Sequence, residues 1–335
     1  MKKDIGIDLG TSNTIIYMKT KGIVLDEPSV VAIDREDGSV VAVGNAAKDM
    51  IGKTPDGIIA VNPLKDGVVA DFNATYSMLK YFIKKAFRKT GMVKPRVVIS
   101  VPTGITGVER RAVEDTAVNA GSREVYLIES PMAAALGSNL PISEAIASLI
   151  VDIGGGITEV AVISLGGIVT GKTVRIAGDT FCDDIIRYVK RKYNLIIGKI
   201  TAENIKNSIG TALLGAREDA TQVNGRDSIT GLPKNITLSS SEVCEAINDS
   251  VFRIIDAVKL TLEQTPPELS SDILERGITL SGGCALLPGI AQLIENETGM
   301  HVMISDYPRE AVAYGIGQIL DKINESKKDL LIKRN

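Results

Sequence analysis

The sequence predicts an α/β protein built as two similar lobes that face each other across a cleft. Three observations carry this. The chain is 335 residues long, which is too much for one simple core and fits two lobes. Strand and helix patterns alternate along it, which indicates sheets covered by helices. And one unit is used twice: IGIDLGTS at 5–12 aligns with LIVDIGGG at 149–156, at an offset of 144 residues. Each is an apolar strand, an Asp at its end, one more apolar residue and a small-residue turn leading to another strand. A repeated strand-turn-strand unit implies repeated architecture. Asp and Gly are common turn residues, so two unrelated hairpins are the alternative.

The elements follow from local pattern. Residues 4–8 and 13–18 read as strands around a tight turn, and 23–43 is rich in Val and Ile with turn signals at Glu27-Pro28 and Asp37-Gly38. Tyr76, Leu79, Ile83, Ala86 and Phe87 recur at helical spacing, so a helix is expected over 75–90, closed by Gly91. A buried strand at 97–101, a helix near 107–120, a strand at 125–128 and a short helix from Pro131 come next. The second half starts afresh with strands between Leu149 and Leu165 and from Ile168 to Ile176, then a helix over 179–193. Residues 217–237 suggest a hairpin on a small subdomain. Ser239-Ser240-Ser241-Glu242 is a capping box opening a long amphipathic helix that Pro266-Pro267 ends.

Composition narrows the class. The chain is 44% apolar and 24% charged with a net charge of −3, ordinary for a soluble protein and without the basic excess of a nucleic-acid binder. Cys182, Cys244 and Cys284 are scattered and His301 is the single histidine, so neither a disulfide framework nor a zinc cluster is suggested. Met1-Lys2-Lys3-Asp4 runs into a strand pattern with no leader, and the cytosol is the expected compartment. The apolar stretch Ala145–Val169 contains Asp152, Glu159 and three glycines, so two buried strands explain it better than a membrane span.

The paired turns suit a polyphosphate. Glycine lets backbone N–H groups approach a ligand, and consecutive N–H groups form an anion-binding concavity. Thr11, Ser12 and Asn13 add polar side chains on one side, and Gly154, Gly155 and Gly156 offer bare backbone on the other. Asp8 and Asp152 would repel phosphate unless a cation lies between, which implies Mg²⁺ held through its waters. The segment Gly166–Thr173 matches the P-loop expression G-x-x-x-x-G-K-[ST]. It is followed by a β-branched alternating stretch rather than a helix, so it reads as a chance match within a hairpin.

With both hairpins in place, the chain resembles the superfamily of actin, DnaK-type chaperones and sugar kinases, and within it the MreB family of bacterial actin-like cell-shape proteins. GIDLGTSNT, GIVLDEPSVVAID, PLKDGVVADF, VERRAV, PMAAALGSNL, TAENIK, TPPELSSDI and AVAYGIG occur in the family's order. The resemblance implies an actin fold: two RNase-H-like lobes, each with a small appended subdomain, and a nucleotide cleft between them. It implies subdomain IA at 1–31, 71–142 and 311–328, IB at 32–70, IIA at 143–181 and 250–310, IIB at 182–249, and a flexible tail at 329–335. It places Ser12, Asn13, Thr14, Gly155 and Gly156 by the phosphates of ATP or ADP, and Glu203, Asn204 and Lys206 near ribose and adenine. Gly282, Gly283 and Ala285 fall in the adenosine turn, where Cys284 replaces the family's Gly or Ser. It also implies self-assembly into paired protofilaments at the inner membrane face.

Two departures bear on chemistry. Glu129-Ser130-Pro131 stands where the family reads Glu-Glu-Pro, and Ile157-Thr158 where it reads two threonines. Ser130 and Ile157 therefore occupy the two positions that the family links to the attacking water. Slow or absent hydrolysis is expected, with Glu129 the candidate substitute base and a fully competent ATPase the alternative. Membrane contact is expected, if anywhere, at Met92-Val93 and the basic tail; other paralogues are candidate partners. Shape and swimming in a wall-less cell is a further reading. A sugar kinase would need room that the small inserts do not leave, and a chaperone would need a substrate domain.

Overall fold

The computed structural model describes residues 4–87, 94–322 and 331. Two five-stranded sheets organise it. In the first, Asp4–Leu9, Asn13–Met18 and Gly22–Pro28 form an antiparallel meander, and Arg96–Val101 and Glu124–Glu129 extend it in parallel beyond Asp4–Leu9. In the second, Ser148–Ile153, Thr158–Ser164 and Gly167–Val174 form the meander, and Ile278–Ser281 and Val302–Ile304 the parallel extension. Counted within its own lobe, each sheet has the spatial order third, second, first, fourth, fifth. The duplication seen in two short turns thus covers both sheets entire.

Each sheet carries a smaller one inserted after its third strand. Val31–Asp34, Val40–Val43 and Ile58–Val61 pair in the first lobe, and Leu195–Ile196, Ala220–Asp227 and Pro233–Ser239 in the second. In the first, the short helix Asn45–Lys48 lies between the second and third strands, and in the second the helix Lys199–Ile209 lies between the first and second.

Local chemistry accounts for the element ends. The helix expected from residue 75 begins at Phe72, because the Asp71 carboxylate accepts from the Ala74 N–H at 3.0 Å and caps it. Phe72 is exposed and lay outside the apolar stripe that marked this helix. Its last residue is Ala86; Gly91 lies outside the described residues. The capping box at Ser239 forms reciprocally, with the Glu242 carboxylate accepting from the Ser239 N–H at 3.0 Å. Pro267 does more than end that helix: it opens the next, Pro267–Arg276, at a position where its missing N–H is harmless. The P-loop-like segment lies in the strand Gly167–Val174 and its preceding turn, with no helix opening at Lys172.

Each lobe has its own apolar core, and a third cluster joins them. Val98 and Ile128 from one sheet meet Ile150 and Ala161 from the other, around the helices Ser130–Gly137 and Ala311–Lys322. Leu331 is buried in this same cluster, so the expected flexible tail is docked at that residue; its other residues lie outside the described ones. No helix among the described residues is long and apolar enough to cross a membrane.

The two central helices touch backbone to backbone. A Cβ on Gly137 would lie 1.8 Å from the Ala311 carbonyl oxygen, and one on Gly315 would lie 1.8 Å from that of Ala133. A backbone atom cannot swing aside, so Gly315→Ala is expected to destabilise the chain by at least the roughly 1–3 kcal/mol typical of overpacking. The shift in the urea unfolding midpoint measures this.

Candidate functional site

The two Asp-Gly bends meet face to face. A Cβ on Gly155 would lie 1.9 Å from Ser12 Oγ, and one on Gly156 would lie 2.6 Å from Thr11 Oγ1. The glycines are therefore demanded first by the other lobe, whose side chains fill the space their own would take. The second bend is fixed from behind: Gly154 N–H donates to the Ile157 carbonyl at 3.0 Å, and the Gly154 and Gly155 carbonyls accept from Gly178 and Asp179 at 3.2 and 2.8 Å.

Behind each bend a carboxylate is held by a serine of the neighbouring parallel strand. Ser100 Oγ donates to Asp8 Oδ1 at 2.9 Å, and Ser281 Oγ donates to Asp152 Oδ1 at 2.8 Å. Sequence reasoning missed these serines. Their signal was present as a second repeat, VVIS at 97–100 and ITLS at 278–281, each an apolar strand ended by Ser.

A cleft of about 690 Å³ opens above the bends, within the usual size of a small-molecule site. Asp8, Thr11, Ser12, Asn13, Ser130, Asp152, Gly154, Gly155, Gly156, Ile157, Glu203, Lys206, Gly282 and Gly283 line it. Four expected residues do not. Thr14 is fully buried behind the first bend, its hydroxyl paired with that of Ser29 at 2.9 Å. Asn204 is exposed on a separate groove, because one residue along a helix turns the side chain about 100° from Glu203. Asn207, one turn after Glu203, lines the cleft instead. Ala285 is buried in the second lobe's core beneath Cys284, whose thiol donates to the Gly154 carbonyl at 3.3 Å. Glu129 lies outside the lining, facing Arg110 and Gly104, and burial raises its pKa above the ordinary value.

Further lining residues were not anticipated: Asp26, Lys48, Glu159 and Arg309. Asp26 accepts from Asn13 Nδ2 at 2.7 Å and from Arg309 Nη2 at 3.1 Å. Glu159, buried two residues past Ile157, accepts from the Thr103 N–H of the other lobe at 2.7 Å. The lining holds five carboxylates, Asp8, Asp26, Asp152, Glu159 and Glu203, against three cations, Lys48, Lys206 and Arg309. Withdrawal from water pushes Asp8 up to about 7, against the Ser100 bond and helped by the Asp152 and Asp26 charges. It pushes Asp152 up to about 6 and Glu159 to about 8. Burial thus works against the charged form at three of the five carboxyls.

The MreB/Mbl protein family matches residues 2–328 of this chain. The chain belongs to the MreB/Mbl family. It is 49% identical over 329 residues to the cell shape-determining protein Mbl of Bacillus cereus, covering 98% of this chain and 99% of that protein. It is 51% identical over 332 residues to the cell shape-determining protein MreB of Escherichia coli, covering 98% and 96%. Among solved structures, MreB5 of Spiroplasma citri bound to ADP superposes with a TM-score of 0.92 at 37% identity, over 96% of this chain and 97% of that one. The same protein bound to AMPPNP gives 0.91 at 36%, over 97% of each chain. A MamK double helical filament gives 0.79 at 19%, over 96% and 99%, a likeness of fold. The architecture is the actin fold expected of an MreB/Mbl chain.

The raised carboxyls set a pH dependence. Asp8 and Asp152 bind protons more tightly folded than unfolded, so without ligand their contribution to stability is present below pH 3.8 and is lost as pH rises towards about 7. Asp8→Asn removes part of that loss. The ligand-free variant is expected to be more stable than the parent at pH 8, by roughly 1–3 kcal/mol after allowance for cleft water, with the difference vanishing near pH 4. Unfolding curves across that range check it.

Proposed function

We propose that this MreB/Mbl chain binds ATP or ADP with Mg²⁺ between its lobes, polymerises into cytoskeletal filaments that govern cell shape, and hydrolyses its nucleotide very slowly. The observation that carries this reading is the pair of interlocked bends, each with a serine-held aspartate behind it, at the floor of a cleft sized for a nucleotide. The nucleotides bound by the MreB5 neighbours support the ligand, the names of the relatives support the shape role, and the MamK filament supports self-association.

Mg²⁺ fits the donor set. No group of three or more potential ligands gathers among the described residues, so Asp8 and Asp152 would hold the ion mainly through its waters and the phosphates. When bound, it neutralises charge on the transferring phosphate. The chain's own task is to present Asp8 and Asp152 as carboxylates towards the ion and to aim Thr11, Ser12, Asn13 and the Gly154–Gly156 backbone at the phosphates. Glu203 and Lys206 sit on the wall assigned to the nucleoside, with Gly282 and Gly283. We propose the four subdomains at the bounds expected from the resemblance, with the two small sheets as the bodies of the appended ones.

Slow hydrolysis rests on what surrounds Ser130 and Ile157. Ser130 Oγ is tied back to the Val101 carbonyl at 3.1 Å. Gly67 packs so closely that a Cβ there would lie 2.9 Å from Ile157 Cδ1 and 2.6 Å from Pro102 Cγ. Ile157 thus completes an apolar wedge where the family carries a hydroxyl. Glu129, outside the cleft lining, is poorly placed to substitute. Membrane attachment through Met92 and Val93 and the tail concerns residues that, Leu331 apart, lie outside the described ones.

Steady-state phosphate release tests the reading. The parent chain is expected to turn over very slowly, and Ser130→Glu with Ile157→Thr to gain roughly 10²- to 10⁴-fold, the usual worth of general-base assistance. Sedimentation with ATP and with AMPPNP is expected to give equal filament yields. Brisk turnover by the parent chain would sink the slow-hydrolysis reading.

A further inference from the structure

We infer that Lys48 is a positioning residue of the nucleotide site: reaching from the first lobe's small subdomain, it grips the Glu203 carboxylate of the second and latches the cleft over its ligand. Lys48 ends the helix Asn45–Lys48, and Glu203 lies on the helix Lys199–Ile209. The Lys48 ammonium is 2.9 Å from Glu203 Oε1 and 2.9 Å from Oε2, so it spans both oxygens. Each side chain is 33% exposed and both line the cleft. The pair therefore closes the gap between opposite walls.

The helix bearing Glu203 sends a second charge into the cleft one turn later. Lys206 donates to the Gly178 carbonyl of its own lobe at 3.2 Å, so it ties nothing across. Glu203 has its cation on the far side. A carboxylate has about four lone-pair sites; the ammonium engages some of them, and the rest are available to the vicinal hydroxyls of a bound sugar. Lys48 fixes the orientation of that acceptor without itself having to touch the ligand. Sugar recognition is then strongest when the small subdomains are drawn together, and the ion pair has to part before a nucleotide can leave.

This inference rests on the nucleotide reading, and the experiment separates the two. Dissociation of a fluorescent ATP analogue is followed by stopped flow for the full chain, Lys48→Gln, Glu203→Gln and the double variant, with Lys53→Gln as an exposed control. A partly exposed pair supports a modest effect, so Lys48→Gln is expected to speed release about two- to fivefold. The double variant should release no faster than the faster single variant, because both remove one interaction. Lys48→Gln should also narrow the preference for ATP over 2′-deoxyATP, a readout that loss of a merely structural contact would not move. Release unchanged in Lys48→Gln, matched by Lys53→Gln, or additive in the double variant overturns the latch while leaving the nucleotide site intact. A parent chain that binds no analogue overturns the nucleotide reading and the latch together.

Discussion

Everything in this molecule depends on two backbone bends being allowed to touch. Ser12 and Thr11 fill the space where side chains at Gly155 and Gly156 would stand. A side chain at either glycine would push the lobes apart and open the floor of the cleft. The same approach brings Asp8 and Asp152 close enough to repel each other. It lets Thr103 N–H reach Glu159 across the lobes, while Thr11 Oγ1 is held within its own lobe by the Gly67 N–H at 2.9 Å. Packing and chemistry here have a common origin: the glycines that admit the other lobe are also those whose N–H groups suit phosphate.

The electrostatics follow from that geometry. Five carboxylates around one cleft are unfavourable unless positive charge or protons offset them, and burial raises the pKa of three of them. A magnesium nucleotide brings both a cation and a polyanion. In the reading proposed above, the cation would be balanced by Asp8 and Asp152, while the phosphates would meet backbone N–H groups and hydroxyls that carry no net charge. On that reading, such a site would favour a metal-bound polyphosphate over a bare anion before any side chain specific to the base is considered.

Much of this was legible in the sequence, and the failures share a physical cause. Repeats and periodicity report on the backbone, so the two bends, most of both sheets and the paired aspartates could be read directly. The serines behind the aspartates form a repeat too, but at a different offset, 181 residues against 144, because the segments between the strands differ in length. Asn204 was misplaced by a helical rotation, and Thr14 by strand alternation, which turns it away from the cleft beside Asn13. Ala285 sits beneath a turn whose surface is Cys284. Lys48 and Arg309 act through partners remote in sequence, at separations of 155 and 283 residues. Only the closed fold brings such pairs together.

Ile157 shows how one substitution serves stability and function in opposite senses. It belongs to the second lobe, while Gly67 and Pro102, against which it packs, belong to the first. A threonine there would give up part of that alkyl contact, worth roughly 0.8 kcal/mol per buried methylene, and place a hydroxyl in the seam. The isoleucine therefore adds adhesion between the lobes at the position that the resemblance links to the attacking water. On the slow-hydrolysis reading proposed above, a nucleotide bound in such a seam would be retained by closure and spared by the missing hydroxyl. Filaments built on that state would owe their persistence to the bound nucleotide as a structural element, with turnover set by how readily the lobes part.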